Sequence, residues 1–211
     1  KKEKNINKLI LDLRGNSGGY LDQAIRILNE FFEEGKLLVY TEGNARKKQT
    51  YFSDIFGIFK DEELCVLIDE GSASASEILA GAIQDHGRGA LVGERSFGKG
   101  LVQEQLFLDD GSLIRLTVSR YYTPSGRCIQ KPYSHENEDY FSEMYFRNKK
   151  QEKGDSLKEF MTLDGRVVYA GGGITPDYIK KSQNDSLSTS LFYLYTSDFF
   201  DELVFDYVDK N

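Results

Sequence analysis

Leu64-Cys65-Val66-Leu67-Ile68-Asp69-Glu70-Gly71-Ser72-Ala73-Ser74-Ala75-Ser76-Glu77-Ile78-Leu79-Ala80-Gly81-Ala82-Ile83-Gln84 is the stretch that decides how this chain folds. Its first five residues form a continuous apolar run of the kind found in buried strands. Ser74 to Gln84 then reads as a helix with Ile78, Leu79, Ala82 and Ile83 apolar, and the small polar residues between the two make the turn. The same order occurs upstream. Asn7 to Leu13 reads as a strand and Arg14-Gly15-Asn16-Ser17-Gly18-Gly19 as a turn, after which Leu21, Ala24, Ile25, Leu28 and Phe32 recur at helical spacing up to Glu33-Glu34-Gly35.

Around these two units the pattern continues. Residues 36–41 read as a strand, and 42–60 as a solvated hairpin or loop, with Arg46, Lys47 and Lys48 ahead of Tyr51-Phe52 and Ile55-Phe56. Ala90-Leu91-Val92 is a short strand. Leu101 to Leu108 and Leu113 to Tyr121 flank Asp109-Asp110-Gly111-Ser112 and predict a β-hairpin. Strands alternating with helices, plus an antiparallel pair, give an α/β protein with a mixed sheet. Residues 131–160 lose all periodicity and gain charge, with Tyr133, Tyr140, Phe141, Tyr145 and Phe146 interspersed, as expected of an insertion draped over the core. Apolar character returns at Arg166-Val167-Val168-Tyr169. Gly171-Gly172-Gly173-Ile174-Thr175-Pro176-Asp177 is rich in turns, and Leu187 to Val208 reads as helix. No internal repeat or low-complexity tract is present.

The chain of 211 residues is long enough for one domain with a full core and short for two. A single domain over 1–211 is expected, with 131–170 as an insertion within it. The hydrophobic fraction of 39% and the aromatic fraction of 13% exclude disorder as a global description. No apolar run approaches the roughly 18 residues of a membrane helix. With 27 Lys and Arg against 34 Asp and Glu, the net charge of −7 argues against nucleic acid as a partner. Cys65 and Cys128 form neither C-x-x-C nor a metal-ligand spacing with His86 and His135, so no metal is expected; free thiols and a disulfide both stay open. The chain begins at Lys1-Lys2-Glu3-Lys4 rather than at Met, which reads as a piece of something longer.

Gly71 to Ser76 is where chemistry concentrates. A serine at the junction of a buried strand and a helix has its hydroxyl among unpaired N–H groups that favour an oxyanion. Such a serine also serves as an N-cap, and Ser74 with Glu77 fits the capping box S-x-x-E. A nucleophile needs a base. His86 and His135 both read as solvated surface residues, which leaves a lysine kept neutral by burial. Lys99 sits among Phe97, Gly98, Gly100, Leu101 and Val102, and Gln103 returns to its face in an extended strand. Gly93-Glu94-Arg95-Ser96-Phe97-Gly98-Lys99 matches seven positions of a phosphate loop, yet Gly100 replaces the magnesium-binding hydroxyl and a strand follows instead of a helix. Ser96-Phe97-Gly98-Lys99 also matches the S-x-x-K of penicillin-binding enzymes, but the flanking glycines argue against the helix that motif needs.

Five blocks in order resemble the carboxyl-terminal processing, or tail-specific, proteases: Leu11 to Gly19, Gly71 to Ile78, Gly93 to Gln103, Tyr122 to Arg127, and Gly173 to Asp177. The resemblance implies a serine endopeptidase on a crotonase-like or Clp-protease-like α/β core, acting through an acyl-enzyme without metal or organic cofactor. It implies Ser74 as nucleophile, Lys99, 25 positions on, as general base, and Gln103 as the residue that orients Lys99. The oxyanion hole would combine the Ala75 N–H with that of Gly18 or Gly19. Polypeptide is the implied substrate and a bacterial extracytoplasmic compartment the implied location; oligomeric state is open. Three departures matter, one of them the long insertion at 131–170, expected to cover or extend the substrate groove. Asp69 stands where the family more usually has Asn, and the PDZ domain and core segments that precede the first strand in the family are not in this sequence. A catalytically silent peptide-binding or scaffold domain with the same fold is the alternative.

Overall fold

The computed structural model describes residues 6–44, 46–54, 57–132, 158–180 and 199–210. Its first layer is a parallel sheet of β1 (Lys8–Asp12), β4 (Glu63–Ile68), β5 (Ala90–Gly93) and β10 (Tyr178–Ile179), in the order β1-β4-β5-β10. β4 lies centrally, and Leu64, Val66 and Ile68 on its inward face are buried. β1 is an edge strand and accordingly alternates, with Ile10 exposed and Leu9 and Leu11 partly covered.

The second sheet is antiparallel, with the order β3-β2-β7-β6, made of β2 (Leu37–Glu42), β3 (Gln49–Phe52), β6 (Leu101–Phe107) and β7 (Leu113–Tyr122). The α/β class stands, but parallel and antiparallel strands are segregated into two sheets rather than merged into one. The loop at 42–60 is the β2–β3 hairpin, bulged between Leu37 and Val39. β8 (Glu159–Met161) and β9 (Val167–Tyr169) form a separate antiparallel ribbon. This ribbon lies within the expected insertion; residues 133–157 of it, with His135 and the aromatic cluster, lie outside the described residues. So does the first part of the expected C-terminal helix, of which Phe199–Lys210 is helical (α3).

α1 (Leu21–Asn29) packs on α2 (Ala75–Asp85), and α2 meets β5 of the first sheet and β2 of the second. Every residue of α2 is buried. That is possible because its small residues admit close neighbours: a Cβ at Gly81 would lie 2.7 Å from Thr123 Cγ2. The buried polar end of α2 is neutralised in place, Asp85 pairing with the buried Arg127 at 2.8 Å, while Gln84 accepts from the same guanidinium at 2.6 Å. Cys65 and Cys128 are free thiols.

Candidate active site

The turn after β4 places Ser74 at the start of α2 with φ 56° and ψ −115°. It is the only non-glycine with positive φ among the described residues, a conformation that costs about 1–3 kcal/mol and persists only where its surroundings enforce it. Two groups enforce it. The Glu77 carboxylate accepts the Ser74 N–H at 2.9 Å, and the Tyr121 hydroxyl donates to the Ser74 carbonyl at 3.0 Å.

Both groups also hold the lysine. Glu77, fully buried, accepts the N–H groups of Gly98 at 2.7 Å and Lys99 at 2.8 Å, and the Ser96 hydroxyl at 2.5 Å. The single Tyr121 hydroxyl proton is shared between the Ser74 carbonyl and the Lys99 carbonyl, which lies at 2.6 Å. Burial pushes the Glu77 carboxyl above its ordinary range, while its four donors pull it back toward the charged form. Ser96 is tied in turn to Ile174, donating its own N–H to the Ile174 carbonyl at 3.0 Å and accepting the Ile174 N–H on Oγ at 2.6 Å. The amides of the phosphate-loop-like segment do converge on an anion, as its glycines invite. That anion is the carboxylate of Glu77, which occupies the place a phosphate would need.

The glycine loop after β1 forms the other wall. Gly18 approaches so closely that a Cβ there would lie 2.5 Å from the Ala73 carbonyl and 2.7 Å from the Ala75 nitrogen, so only glycine fits. Its φ of 98° requires glycine as well. Asp69 braces this loop from below, its Oδ1 accepting Gly15 N–H at 2.8 Å and Gly71 N–H at 3.0 Å. Both partners are backbone N–H donors, so a carboxylate oxygen serves here. At the end of β1, Arg14 grips Asp12 and holds its carboxyl down to about 2.

A cleft of about 640 Å³ runs between these walls and brings together Ser74, Ala75, Lys99, Gln103, Gly18 and Gly19. All six site residues expected from sequence thus line one space. The Gln103 amide lies 3.5 Å from Thr117 Oγ1. Ser72 and Ser76 point elsewhere, their hydroxyls donating to the Leu13 and Asn16 carbonyls at 2.8 and 2.9 Å. His86 is no solvated surface residue: half-buried at the C-terminus of α2, it packs its ring tilted against Phe32, with centroids 4.9 Å apart, and bonds the Leu37 carbonyl at 2.7 Å, away from the cleft. Sequence reasoning missed the bracing roles of Glu77 and Tyr121. The capping box did point to Glu77, and its carboxylate half is formed, but nothing in it announced the bonds to the lysine loop.

The profile of peptidase family S41 matches residues 1–137. The chain is 48% identical over 122 residues to the carboxy-terminal-processing protease of Bartonella bacilliformis, covering 57% of this chain and 28% of that protein. It is 39% identical over 125 residues to a CtpA-like serine protease of Staphylococcus aureus, covering 59% and 25%. It spans about a quarter of the length of these relatives. Among solved structures, the photosystem II D1 C-terminal processing protease superposes with a TM-score of 0.62 at 27% identity, over 93% of this chain and 41% of that one. With the matched profile covering the strained serine turn, the glycine loop and the lysine loop alike, the chain belongs to peptidase family S41, the family of C-terminal processing serine proteases.

Proposed function

We propose that this chain is the catalytic core of a serine endopeptidase that cuts polypeptides near their C-terminal region. The observation that carries the reading is that one buried carboxylate, Glu77, fixes the backbone of both Ser74 and Lys99 beside a common cleft. Ser74 Oγ attacks the scissile carbonyl while Lys99 Nζ takes its proton. The C–N bond then breaks, the departing amine receives that proton, and the acyl-enzyme is released by water. Gln103 orients Lys99. Ala75 N–H supplies one donor to the oxyanion. Gly18 N–H is given to Asn16 Oδ1 at 2.9 Å, so Gly19 N–H is the second donor.

Residues 1–211 act as a single domain, with 131–170 as an insertion in its sequence. The relatives are bacterial, which supports a bacterial protein; a place outside the cytoplasm, and a PDZ domain and further core segments that complete the substrate path, belong to the same proposal. No helix among the described residues is long and apolar enough to cross a membrane.

Cleavage of an unstructured peptide tests the assignment. Ser74→Ala should abolish turnover while leaving the fold intact, Lys99→Arg should be as inactive as Lys99→Ala, and chelators should have no effect. Ser76→Ala should retain most activity. Full turnover by Ser74→Ala would end the assignment, and peptide binding with no turnover in the unaltered chain would favour a silent binding domain.

A further inference from the structure

The cleft carries charge of one sign. Lys99 and Arg115 line it, and no Asp or Glu does among the described residues. In a chain of net charge −7 this is against composition and calls for a local cause. The cause is the pleat of the β6–β7 ladder. Gln103 and Gln105 face the cleft, and Arg115 lies directly across the ladder from Gln105. Glu104, between the two glutamines, points to the opposite face, where Arg46 holds it at 2.6 Å. It is the only acid in either strand of the hairpin. Arg115 is left exposed, with no carboxylate partner among the described residues.

Among the described residues β6 is also the edge strand of its sheet, open to pairing with an added extended peptide. Six residues separate Lys99 from Gln105, about 20 Å in an extended strand. A peptide whose scissile carbonyl lies at Ser74 therefore reaches Arg115 about six residues away. A planar guanidinium there matches a carboxylate, which it can grip with two parallel hydrogen bonds. We propose that Arg115 is a specificity-determining residue, forming a subsite for a substrate carboxylate about six residues from the bond cut. That carboxylate is either an acidic side chain or the free C-terminus. The proposal takes its substrate class from the protease reading above.

The test separates the two sources and the two readings. A neutral peptide is prepared with a single Glu walked through positions four to eight from the cleavage point, and in parallel with a free or amidated C-terminus at those distances. Affinity is read by fluorescence anisotropy on the Ser74→Ala chain, and cleavage on the unaltered chain. At least one carboxylate peptide should bind about tenfold tighter than its Gln or amide counterpart. Arg115→Gln should erase that preference and leave affinity for the neutral peptide unchanged; Arg115→Lys should restore part of it. Which pair differs identifies the source. Equal affinities throughout, no binding of any peptide, or a preference that survives Arg115→Gln would overturn the subsite. Cleavage without charge preference would leave the protease reading standing alone, and Arg115-dependent binding without cleavage would do the reverse.

Discussion

The turn at Ser74 and the outer half of the β6–β7 hairpin are built on opposite terms. At the turn, a fully buried carboxylate has four donors and a strained residue is held from two sides. On the hairpin, Leu106, Phe107, Leu113, Ile114 and Leu116 are between 41% and 77% exposed. β2 pairs with β7 only from Arg120 to Tyr122, so among the described residues the ladder beyond has no third strand. A two-stranded ribbon alone is marginal in water. Tyr121 stands at the junction of the two regions, which means that the hairpin's base is fixed by the site and its tip by the ladder alone.

The largest effect should come from the buried carboxylate. Glu77→Gln keeps the shape but turns an NH2 toward backbone N–H groups, orphaning at least one buried donor at about 1–3 kcal/mol and losing a charge-assisted bond besides. A loss of about 2–4 kcal/mol in denaturant unfolding is expected, with kcat reduced at least about a hundredfold and KM little changed. Unfolding within about 0.5 kcal/mol of the unaltered chain, with full turnover, would break the contrast between the two regions.

The part of this network visible in the sequence was its local part. Strand, turn and helix at 64–84 follow from a run of apolar residues, small residues and a helical period, and each is decided within a few neighbours. The hairpin at 101–122 is just as local, since Asp109-Asp110-Gly111-Ser112 closes it, Asp110 capping Ser112 N–H at 2.9 Å. What escaped depends on distant residues. Nothing at Ser74 says that the loop 96–99 returns to Glu77, or that Tyr121 bridges both carbonyls. The division into two sheets was hidden for the same reason: alternation of strands and helices does not tell whether β7 joins β1 or β2. β8 was masked by charge, since Glu159-Phe160-Met161 is too short to show a period.

Tyr121→Phe sharpens the comparison at the junction. It deletes one hydroxyl that serves the Ser74 and Lys99 carbonyls together, leaving packing unchanged. A loss of about 1–2 kcal/mol is expected, with kcat falling more than KM rises. A purely structural hydroxyl would lower stability and leave kcat alone.

A smaller, pH-dependent effect belongs to His86. Burial lowers its pKa from the ordinary 6.5, aided by Lys36, while the Leu37 carbonyl and Asp85 oppose the shift. The unfolded chain therefore binds a proton that the folded chain refuses. Stability should fall as pH drops below about 6.5, by no more than about 1.4 kcal/mol per pH unit. His86→Gln should flatten that slope between about pH 7 and 5 without altering the pH profile of cleavage.

The smallest effect should come from the hairpin tip, where Phe107 is 77% exposed. Its ring loses little water on folding, so Phe107→Ser removes almost no burial, and its place beside the turn lets the ladder fray without disturbing Tyr121. At about 25 cal/mol per Å² of apolar surface, an exposed ring contributes little, and the change should stay within about 0.5 kcal/mol. Denaturant unfolding at low and at high protein concentration reads this directly. A loss above about 1.5 kcal/mol at both concentrations would show the tip packed within its own chain, and the hairpin would no longer be the unsupported partner of the Ser74 turn. A loss only at high concentration would show copies of the chain covering one another's hairpins. Equal stability throughout would place the burden of holding Lys99 against Ser74 on Glu77 and Tyr121, at the hairpin's base.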